Sequence, residues 1–89
     1  MTTMREIPGG DLVARGIEDL ERGAETVPAL LVSIGRPRLL RLGLAVPEPI
    51  CDRPEHRLYE LLSTQDEATA HSRYNAWLRR LISFERAAG

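Results

Sequence analysis

Residues 66–88 read DEATAHSRYNAWLRRLISFERAA, and this stretch decides the fold. It contains neither glycine nor proline, and one set of its apolar residues recurs in alternating steps of four and three. The set consists of Ala70, Tyr74, Trp77, Leu81, Phe84 and Ala88. Because this spacing keeps all of them on one side of an α-helix, the stretch predicts a long amphipathic helix. Three of the four aromatic residues of the chain lie on that side, so we expect the rest of the fold to pack there.

A second helix is predicted immediately before this stretch. Asp52 would begin it as an N-cap, with Glu55 three residues further on in the pattern of a capping box. Its buried side would consist of Leu58, Leu61 and Leu62. Thr64 and Glu67 repeat the capping pattern, and they predict a turn followed by the start of the long final helix.

The amino-terminal third of the chain predicts two further helices. Asp11 is the expected N-cap of the first, Gly23 is placed to end it, and Thr26 is the expected N-cap of the second. Apolar residues keep the same helical spacing through both: Val13, Ile17, Leu20, Ala24, Val27, Leu31 and Ile34. One kinked helix over residues 11–34 is therefore an alternative, which the glycine and a nearby proline disfavour.

Two residues of the first predicted helix carry separate expectations. Gly16 lies in its middle, where glycine costs about 1 kcal/mol relative to alanine. We therefore interpret it as a point of close approach by a neighbouring helix. Asp19 lies off the apolar stripe, between Glu18 and Glu21 in the sequence, so we expect its carboxylate to face solvent.

A short helix and an extended connector are predicted in the middle of the chain. The helix covers residues 37–42, and Gly43 would end it. Its inward-facing residues would be Leu39, Leu40 and Leu42. Residues 44–51 contain VPEPI, which proline keeps extended. With residues 1–10 as a flexible arm, residues 11–89 are predicted to be a single all-α domain, a small helical bundle of four to five helices with a long amphipathic C-terminal helix.

The composition indicates one small domain without a strong electrostatic field. The 89 residues are 43% hydrophobic and 28% charged, with a formal net charge of −1 and a pI of about 6.1. Such a balance gives no general attraction to nucleic acid or anionic lipid. All twelve basic residues are arginine. We interpret the absence of lysine as GC-rich coding bias and expect a bacterial protein, although arginine also recognises phosphate through paired hydrogen bonds.

The cellular location is predicted from three features that the sequence lacks: a second cysteine, a signal peptide and a membrane span. Cys51 is the single cysteine, which excludes an internal disulfide framework and fits a reducing compartment. Residues 1–10 contain no apolar segment of the kind found in signal peptides. The longest apolar run, residues 29–32, is far shorter than the roughly 20 residues that a membrane span requires. We therefore expect a cytoplasmic protein with no membrane contact.

No group of residues in the sequence predicts a catalytic or metal site. The two histidines, His56 and His71, do not share a zinc-binding spacing with Cys51. No serine lies in a nucleophile elbow, and the glycine pair in IPGGDL lacks the spacing and the lysine of a phosphate-binding loop. We therefore expect no enzyme activity, no metal, no cofactor and no small-molecule substrate.

Nucleic-acid binding is the alternative function. Residues 30–43 give a helix, a glycine-containing turn and a short helix, an order loosely like that of a helix-turn-helix. In that arrangement Arg36, Arg38 and Arg41 would contact phosphates or base edges. The second helix is too short, however, to present a full recognition surface.

Protein–protein interaction is the function that the sequence favours. The 23 residues of the long helix would extend over roughly 34 Å, and no single shorter helix can cover its apolar stripe. Either the earlier helices line up along it, or a partner buries part of it. The candidate interface residues are Arg73, Tyr74, Trp77, Arg80, Leu81 and Phe84. We predict a non-enzymatic interaction module that forms a homodimer or binds a larger protein as a small subunit.

Overall fold

Five α-helices make up the fold in the computed structural model, which describes residues 6–89. They are α1 (Gly10–Glu21), α2 (Val27–Ile34), α3 (Arg36–Arg41), α4 (Pro54–Gln65) and α5 (Ala70–Ala88). A turn of 3-10 helix, Glu67–Thr69, leads into α5. The described residues contain no strand, so the predicted all-α bundle with a long C-terminal helix is confirmed. No helix in this part of the chain combines the length and the apolar character that crossing a lipid bilayer requires.

α1 and α2 are two separate helices. Gly23, with a φ of 71°, follows the end of α1 as predicted. At the start of α2 the hydroxyl of Thr26 accepts a hydrogen bond from the backbone N–H of Ala29 at 3.2 Å. This bond satisfies one of the N–H groups that the first turn of a helix leaves without a partner. The alternative of one kinked helix over residues 11–34 is therefore wrong.

Gly16 is a point of close approach between α1 and α2, which confirms its predicted role. A Cβ atom at this position would lie 2.3 Å from the carbonyl oxygen of Pro28 and 2.7 Å from Cγ1 of Val32. Both distances are far shorter than van der Waals contact, and a backbone carbonyl cannot rotate away. The two helices therefore pack at this distance only because residue 16 has no side chain.

Asp19 is buried, and the expectation that it faces solvent is wrong. Its side chain is 1% exposed and accepts a hydrogen bond from the Thr26 hydroxyl at 2.6 Å. Arg22 and Arg15 also pair with it. The Thr26 hydrogen bond and then the two guanidinium groups lower the pKa of Asp19 from its ordinary value of 3.8, although burial acts in the opposite direction. Helix spacing could not reveal this, because the chain after α1 turns back over the carboxylate.

Asp11 is not the N-cap of α1, contrary to the prediction. Gly9 occupies that position with a φ of 79°, and a Cβ there would lie 2.8 Å from the carbonyl oxygen of Arg80. The chain can therefore turn directly against α5, and Asp11 falls in the first helical turn, where a carboxylate is favourable to the helix dipole. Ile7 packs against the core, whereas residues 1–5 of the predicted arm lie outside the described residues.

α3 buries fewer leucines than predicted. Leu39 is fully buried and Leu42 is partly buried, but Leu40 is 42% exposed. The prediction that Leu40 points inward is therefore wrong. Leu39 and Leu42 are three residues apart and share one side of the helix, whereas Leu40 is rotated by about 100° from Leu39. Gly43 follows α3 with a φ of 92°, as predicted.

The starts of α4 and α5 differ from the predicted capping boxes. Arg53 occupies the N-cap position of α4 without a side-chain cap, so Asp52 does not cap this helix. The proline that follows Arg53 fixes the first helical position instead. Thr64 lies within α4, and the cap after it is Asp66, whose carboxylate accepts a hydrogen bond from the N–H of Ala68 at 3.1 Å.

Two clusters of buried residues form the core, and α5 contributes to both. One cluster consists of Val13, Leu20, Ala29, Val32, Leu39, Val46, Leu81 and Phe84. The other consists of Leu12, Leu30, Leu31, Leu58, Leu62 and Ala70. α4 thus covers the beginning of α5, α3 and the connector cover its end, and α1 and α2 contribute to both clusters. Because the shorter helices line up along the stripe, its length is no argument for a partner.

Candidate functional site

The six residues predicted to form an interface divide into a buried and an accessible group. Leu81 is 3% exposed and Phe84 is 1% exposed, so both side chains belong to the core of the single chain. The accessible group consists of Arg73, Tyr74, Trp77 and Arg80. Of the six predicted interface residues, only these four have side chains accessible enough to contact a partner while the fold stays intact.

A hollow on one flank of α5 brings three of these residues together with one small residue. Its lining consists of Arg73, Ala76, Trp77 and Arg80, and its volume is about 260 Å³. We call it the Trp77 hollow. The lining residues are spaced i, i+3, i+4 and i+7, which places them along one side of the helix over two turns. Ala76 contributes only a methyl group, so the three larger side chains form the walls of the recess.

The two arginines of the hollow have no carboxylate partner among residues 6–89. The guanidinium carbon of Arg80 lies 5.0 Å from the centroid of the Trp77 ring, which is a cation–π distance. Arg73 donates a hydrogen bond from Nη2 to Oε1 of Gln65 at 2.8 Å, and this partner is neutral. Both positive charges are therefore held in place but not neutralised.

Tyr74 faces α4 rather than the Trp77 hollow. Its ring makes an edge contact with Tyr59, with ring centroids 5.6 Å apart. Burial, and to a lesser extent Glu55, raises the pKa of Tyr74 above its ordinary value of 10.0. Tyr59 is 39% exposed and is not among the predicted interface residues. Its only signal in the sequence is an aromatic side chain at the edge of a helix face.

A second groove lies on the other flank of α5, and its lining includes two predicted site residues, the buried Leu81 and Arg38. It has a volume of about 320 Å³ and lies between α5 and the junction of α2 with α3. Leu78 and the 39% exposed Ile82 line it on the α5 side, and Arg38 pairs with Glu85 at 3.3 Å among its lining residues. The signal in the sequence is the spacing of Leu78 and Ile82, which widens the apolar side of the helix.

Two of the three arginines of the nucleic-acid alternative have partners within the fold. Arg36 donates from Nε to two carbonyl oxygens of the connector at 3.1 and 3.2 Å. Arg38 pairs with Glu85, and its side chain is 69% exposed. Arg41 is exposed and has no ion pair among residues 6–89. A single residue separates α2 from α3, whereas a helix-turn-helix has a turn of about three to four residues.

No group of three or more potential metal ligands lies together within residues 6–89. His56 lies on the exposed side of α4, with Nε2 3.5 Å from Oε1 of Glu60. His71 contacts Asn75 on the surface of α5 at 3.3 Å. Cys51 is half-buried and free. That the chain uses no metal or cofactor and is not an enzyme stays a prediction.

Comparison with known proteins adds no relative from which a function could be transferred. Searches against protein-family models, curated proteins and solved structures found nothing that matches this chain. Its function therefore has to be inferred from the geometry and charge of its own surface, including the Trp77 hollow.

Proposed function

We propose that the protein is a non-enzymatic interaction module that binds another protein chain through the Trp77 hollow. The observation that carries the proposal is a half-buried tryptophan placed between two arginines that have no carboxylate partner among residues 6–89. Tryptophan and arginine are among the residues most enriched where single side chains dominate protein–protein binding energy. The hollow, at about 260 Å³, is also smaller than most small-molecule sites, which occupy about 300–1,000 Å³.

The attachment of α5 to the core supports this use of its flank. Leu81 and Phe84 hold the helix on the fold, while the hollow opens on the flank beside this buried side. The cation–π contact of Arg80 and the hydrogen bond of Arg73 restrict the two charged side chains before any partner arrives. A site that is already ordered loses less conformational entropy on binding, so more of its contact energy contributes to affinity.

The partner in this proposal is a second copy of the chain or a larger protein. In a homodimer, two copies of α5 would meet across a two-fold axis. In a larger complex, the chain would be a small subunit held through the same flank. The proposal involves no nucleic acid, no membrane and no small-molecule substrate.

Nucleic-acid binding through Arg36, Arg38 and Arg41 is the second candidate function. The exposure of Arg38 and Arg41 favours it. It has less support than protein binding, because Arg36 is occupied by the connector and Arg38 by Glu85. The net charge of −1 adds no long-range attraction to a polyanion.

We place the protein in the cytoplasm of a bacterium as part of the same proposal. The single Cys51 is free, and a fold without disulfides suits a reducing compartment. The use of arginine at all twelve basic positions is typical of GC-rich coding, which is common among bacteria.

Affinity capture with matched charge-reversal variants tests the proposal. The tagged full chain, the hollow variant Arg73→Glu/Arg80→Glu and the control variant Arg79→Glu/Arg86→Glu would be expressed in the native host. Quantitative mass spectrometry would then compare the captured proteins. The control variant changes the formal charge by the same amount as the hollow variant, but on the back of α5, away from the hollow. We expect a partner whose recovery falls about tenfold or more with the hollow variant and stays unchanged with the control.

Light scattering on the purified chain completes the test, because a homodimer needs no second protein. A concentration-dependent mass between monomer and dimer, abolished by the hollow variant, supports self-association through this flank. A chain that stays monomeric, and that captures no protein which the hollow variant loses, contradicts the proposal.

A further inference from the structure

We infer that the segment which enters the Trp77 hollow is an acidic amphipathic helix of another protein. This inference rests on the proposed function and adds the chemistry of the partner. Three features of α5 carry it: the unpaired charge of its arginines, the spacing of Arg73 and Arg80, and the apolar surface between them.

The arginines of α5 differ from most arginines in the rest of the chain. Outside α5, those within ion-pair distance of a carboxylate are Arg15, Arg22, Arg36, Arg38 and Arg57. The arginines of α5 are Arg73, Arg79, Arg80 and Arg86. None of them lies within ion-pair distance of a carboxylate among residues 6–89. The one acidic residue of α5, Glu85, pairs with Arg38. α5 therefore presents positive charge that the fold does not neutralise.

Arg73 and Arg80 lie on either side of an apolar floor. They are seven residues apart, which corresponds to two helical turns, or about 10.5 Å along the axis. Ala76 and Trp77 lie between them. A partner helix has the same repeat, so carboxylates seven residues apart on it would be offset along the axis by the same distance as positions 73 and 80. Such a spacing suits pairing of one carboxylate with each arginine. An apolar side chain midway between those carboxylates would then enter the recess against Trp77.

A second copy of the chain matches this surface less well. If two α5 helices ran antiparallel with the two-fold axis at Ala76 and Trp77, Arg73 of one copy would lie next to Arg80 of the other. Like charges that face each other across an interface are unfavourable by several kcal/mol. Self-association through this flank is therefore the competing outcome of the test rather than the expected one.

Single-stranded nucleic acid also supplies negative charge, but its bases need an open aromatic face. Proteins that bind single strands stack bases on exposed aromatic rings. Here the guanidinium of Arg80 already lies over the Trp77 ring, with 5.0 Å between its carbon and the ring centroid. A base could stack on that face only by displacing Arg80. A carboxylate, by contrast, can pair with the guanidinium of Arg80 while that group stays over the Trp77 ring.

Two synthetic peptides provide the probe. The first is a fluorescently labelled, alanine-based helix with two glutamates seven residues apart and two leucines midway between them. The second has glutamine at both glutamate positions and is otherwise identical. We expect the full chain to bind the glutamate peptide about tenfold or more tightly than the glutamine peptide in fluorescence anisotropy at low salt. The difference should shrink as salt screens the charges.

A charge exchange makes the test specific to the hollow. The Arg73→Glu/Arg80→Glu variant should lose the glutamate peptide and should bind a peptide with arginine at the same two positions. The control Arg79→Glu/Arg86→Glu changes the net charge equally and should keep the preference for the glutamate peptide. If charge reversal unfolds the chain, as far-UV circular dichroism would show, Arg73→Gln/Arg80→Gln replaces it and should lose the preference between the two peptides.

The inference and the proposed function fail separately. Three results overturn the acidic-helix inference. The first is equal binding of the glutamate and glutamine peptides, and the second is no detectable binding of either peptide. The third is binding of a labelled oligothymidine that is tighter than binding of the glutamate peptide and that depends on Arg73 and Arg80. Self-association that the hollow variant abolishes overturns it as well. The proposed function still stands if the capture experiment finds a partner that the hollow variant loses, or if light scattering shows self-association that this variant abolishes. If neither is found, both are overturned.

Discussion

The junction of α1 with α2 and the outer flank of α5 use arginine in opposite ways. At the junction, Arg15 and Arg22 both pair with the buried Asp19, whose pKa is lowered as a result of its hydrogen bond and these charges. On the flank, Arg73 and Arg80 have no carboxylate partner among residues 6–89. Charge at the junction is thus neutralised within the fold, whereas charge on the flank is not paired with any carboxylate among residues 6–89.

This difference separates residues that hold the fold from residues that are available for binding. A buried carboxylate that loses its partners, or a helix crossing that loses its glycine, reduces stability directly. An exposed arginine without a carboxylate partner contributes little to stability, because solvent already compensates its charge. Substitutions at the junction should therefore affect folding, and substitutions on the flank should affect binding.

Gly16→Ala at the junction should have the largest effect on stability. The new Cβ would lie 2.3 Å from the carbonyl oxygen of Pro28, so α1 and α2 must move apart. We expect the free energy of unfolding to fall by about 3 kcal/mol in urea titrations, even though alanine is the better helix former. Gly23→Ala is the control, because a Cβ there meets no atom within 4 Å. It should cost only about 1 kcal/mol for its positive φ.

A Gly16→Ala variant as stable as the wild-type chain would contradict this packing of the junction. That result would mean that α1 and α2 do not cross at the distance found here. A loss of only about 1 kcal/mol, equal to that expected for Gly23→Ala, would likewise mean that the two helices part more easily than their close approach at Gly16 implies.

Asp19→Ala should have the next largest effect. It removes the acceptor of the Thr26 hydroxyl and leaves Arg22 without its carboxylate. We expect the free energy of unfolding to fall by about 2 kcal/mol. Glu21→Ala, on the exposed side of the same helix, should change it by less than about 0.5 kcal/mol. Equal effects of the two substitutions in urea titrations would show that burial of Asp19 does not matter.

The same carboxylate should give part of the dependence of stability on pH. The Thr26 hydrogen bond, followed by Arg22 and Arg15, lowers the pKa of Asp19 in the fold from 3.8. A carboxyl group with a lowered folded pKa contributes stability above its ordinary pKa, and that stability is lost as the pH falls through the folded pKa. We therefore expect the free energy of unfolding to fall below about pH 4, and to fall less steeply in Asp19→Asn.

Urea titrations at a series of pH values provide the measurement. The Asp19→Asn variant should keep some dependence on pH, because Arg57 also lowers the pKa of Glu25. Profiles for Asp19→Asn and the wild-type chain that run parallel from neutral to acid pH would contradict the assignment.

Arg73→Gln/Arg80→Gln on the flank should have the smallest effect on stability. The double substitution removes one cation–π contact and one hydrogen bond to a neutral partner at the surface. We expect the free energy of unfolding, measured by thermal and urea unfolding, to change by no more than about 1 kcal/mol. A loss as large as that of Asp19→Ala would mean that these arginines hold the fold, and the contrast between the two regions would disappear.

Local chemistry made much of the fold predictable from the sequence. Thr26 caps α2, Gly23 follows α1 and Gly16 marks a close helix crossing, because each of these roles depends on one residue type in a short segment. The burial of Asp19 was not predictable, because it depends on how the segment after α1 turns, which the period of a single helix does not contain. The exposure of Leu40 was predictable, because the helical period places it about 100° away from Leu39.

The site was predictable only in part. Helical spacing alone places Arg73, Trp77 and Arg80 along one flank of the apolar stripe, and the structure brings them together. The same spacing could not separate them from Leu81 and Phe84, which are buried in a core cluster with residues of α1, α2, α3 and the connector. The groove beside Ile82 was missed because it needs the junction of α2 with α3 as its second wall.

Photo-crosslinking from the edge of the Trp77 hollow tests most directly whether it is a protein-binding surface. The photoreactive amino acid p-benzoylphenylalanine would replace the exposed Ser83, one turn after Arg80, because a bulky side chain at Ala76 itself would fill the hollow. The full chain would be used in living cells, and His56 on the exposed side of α4 would be replaced as the control. We predict a discrete covalent adduct with one protein from position 83 and none from position 56. No adduct from position 83, or the same adducts from both positions, would contradict the account.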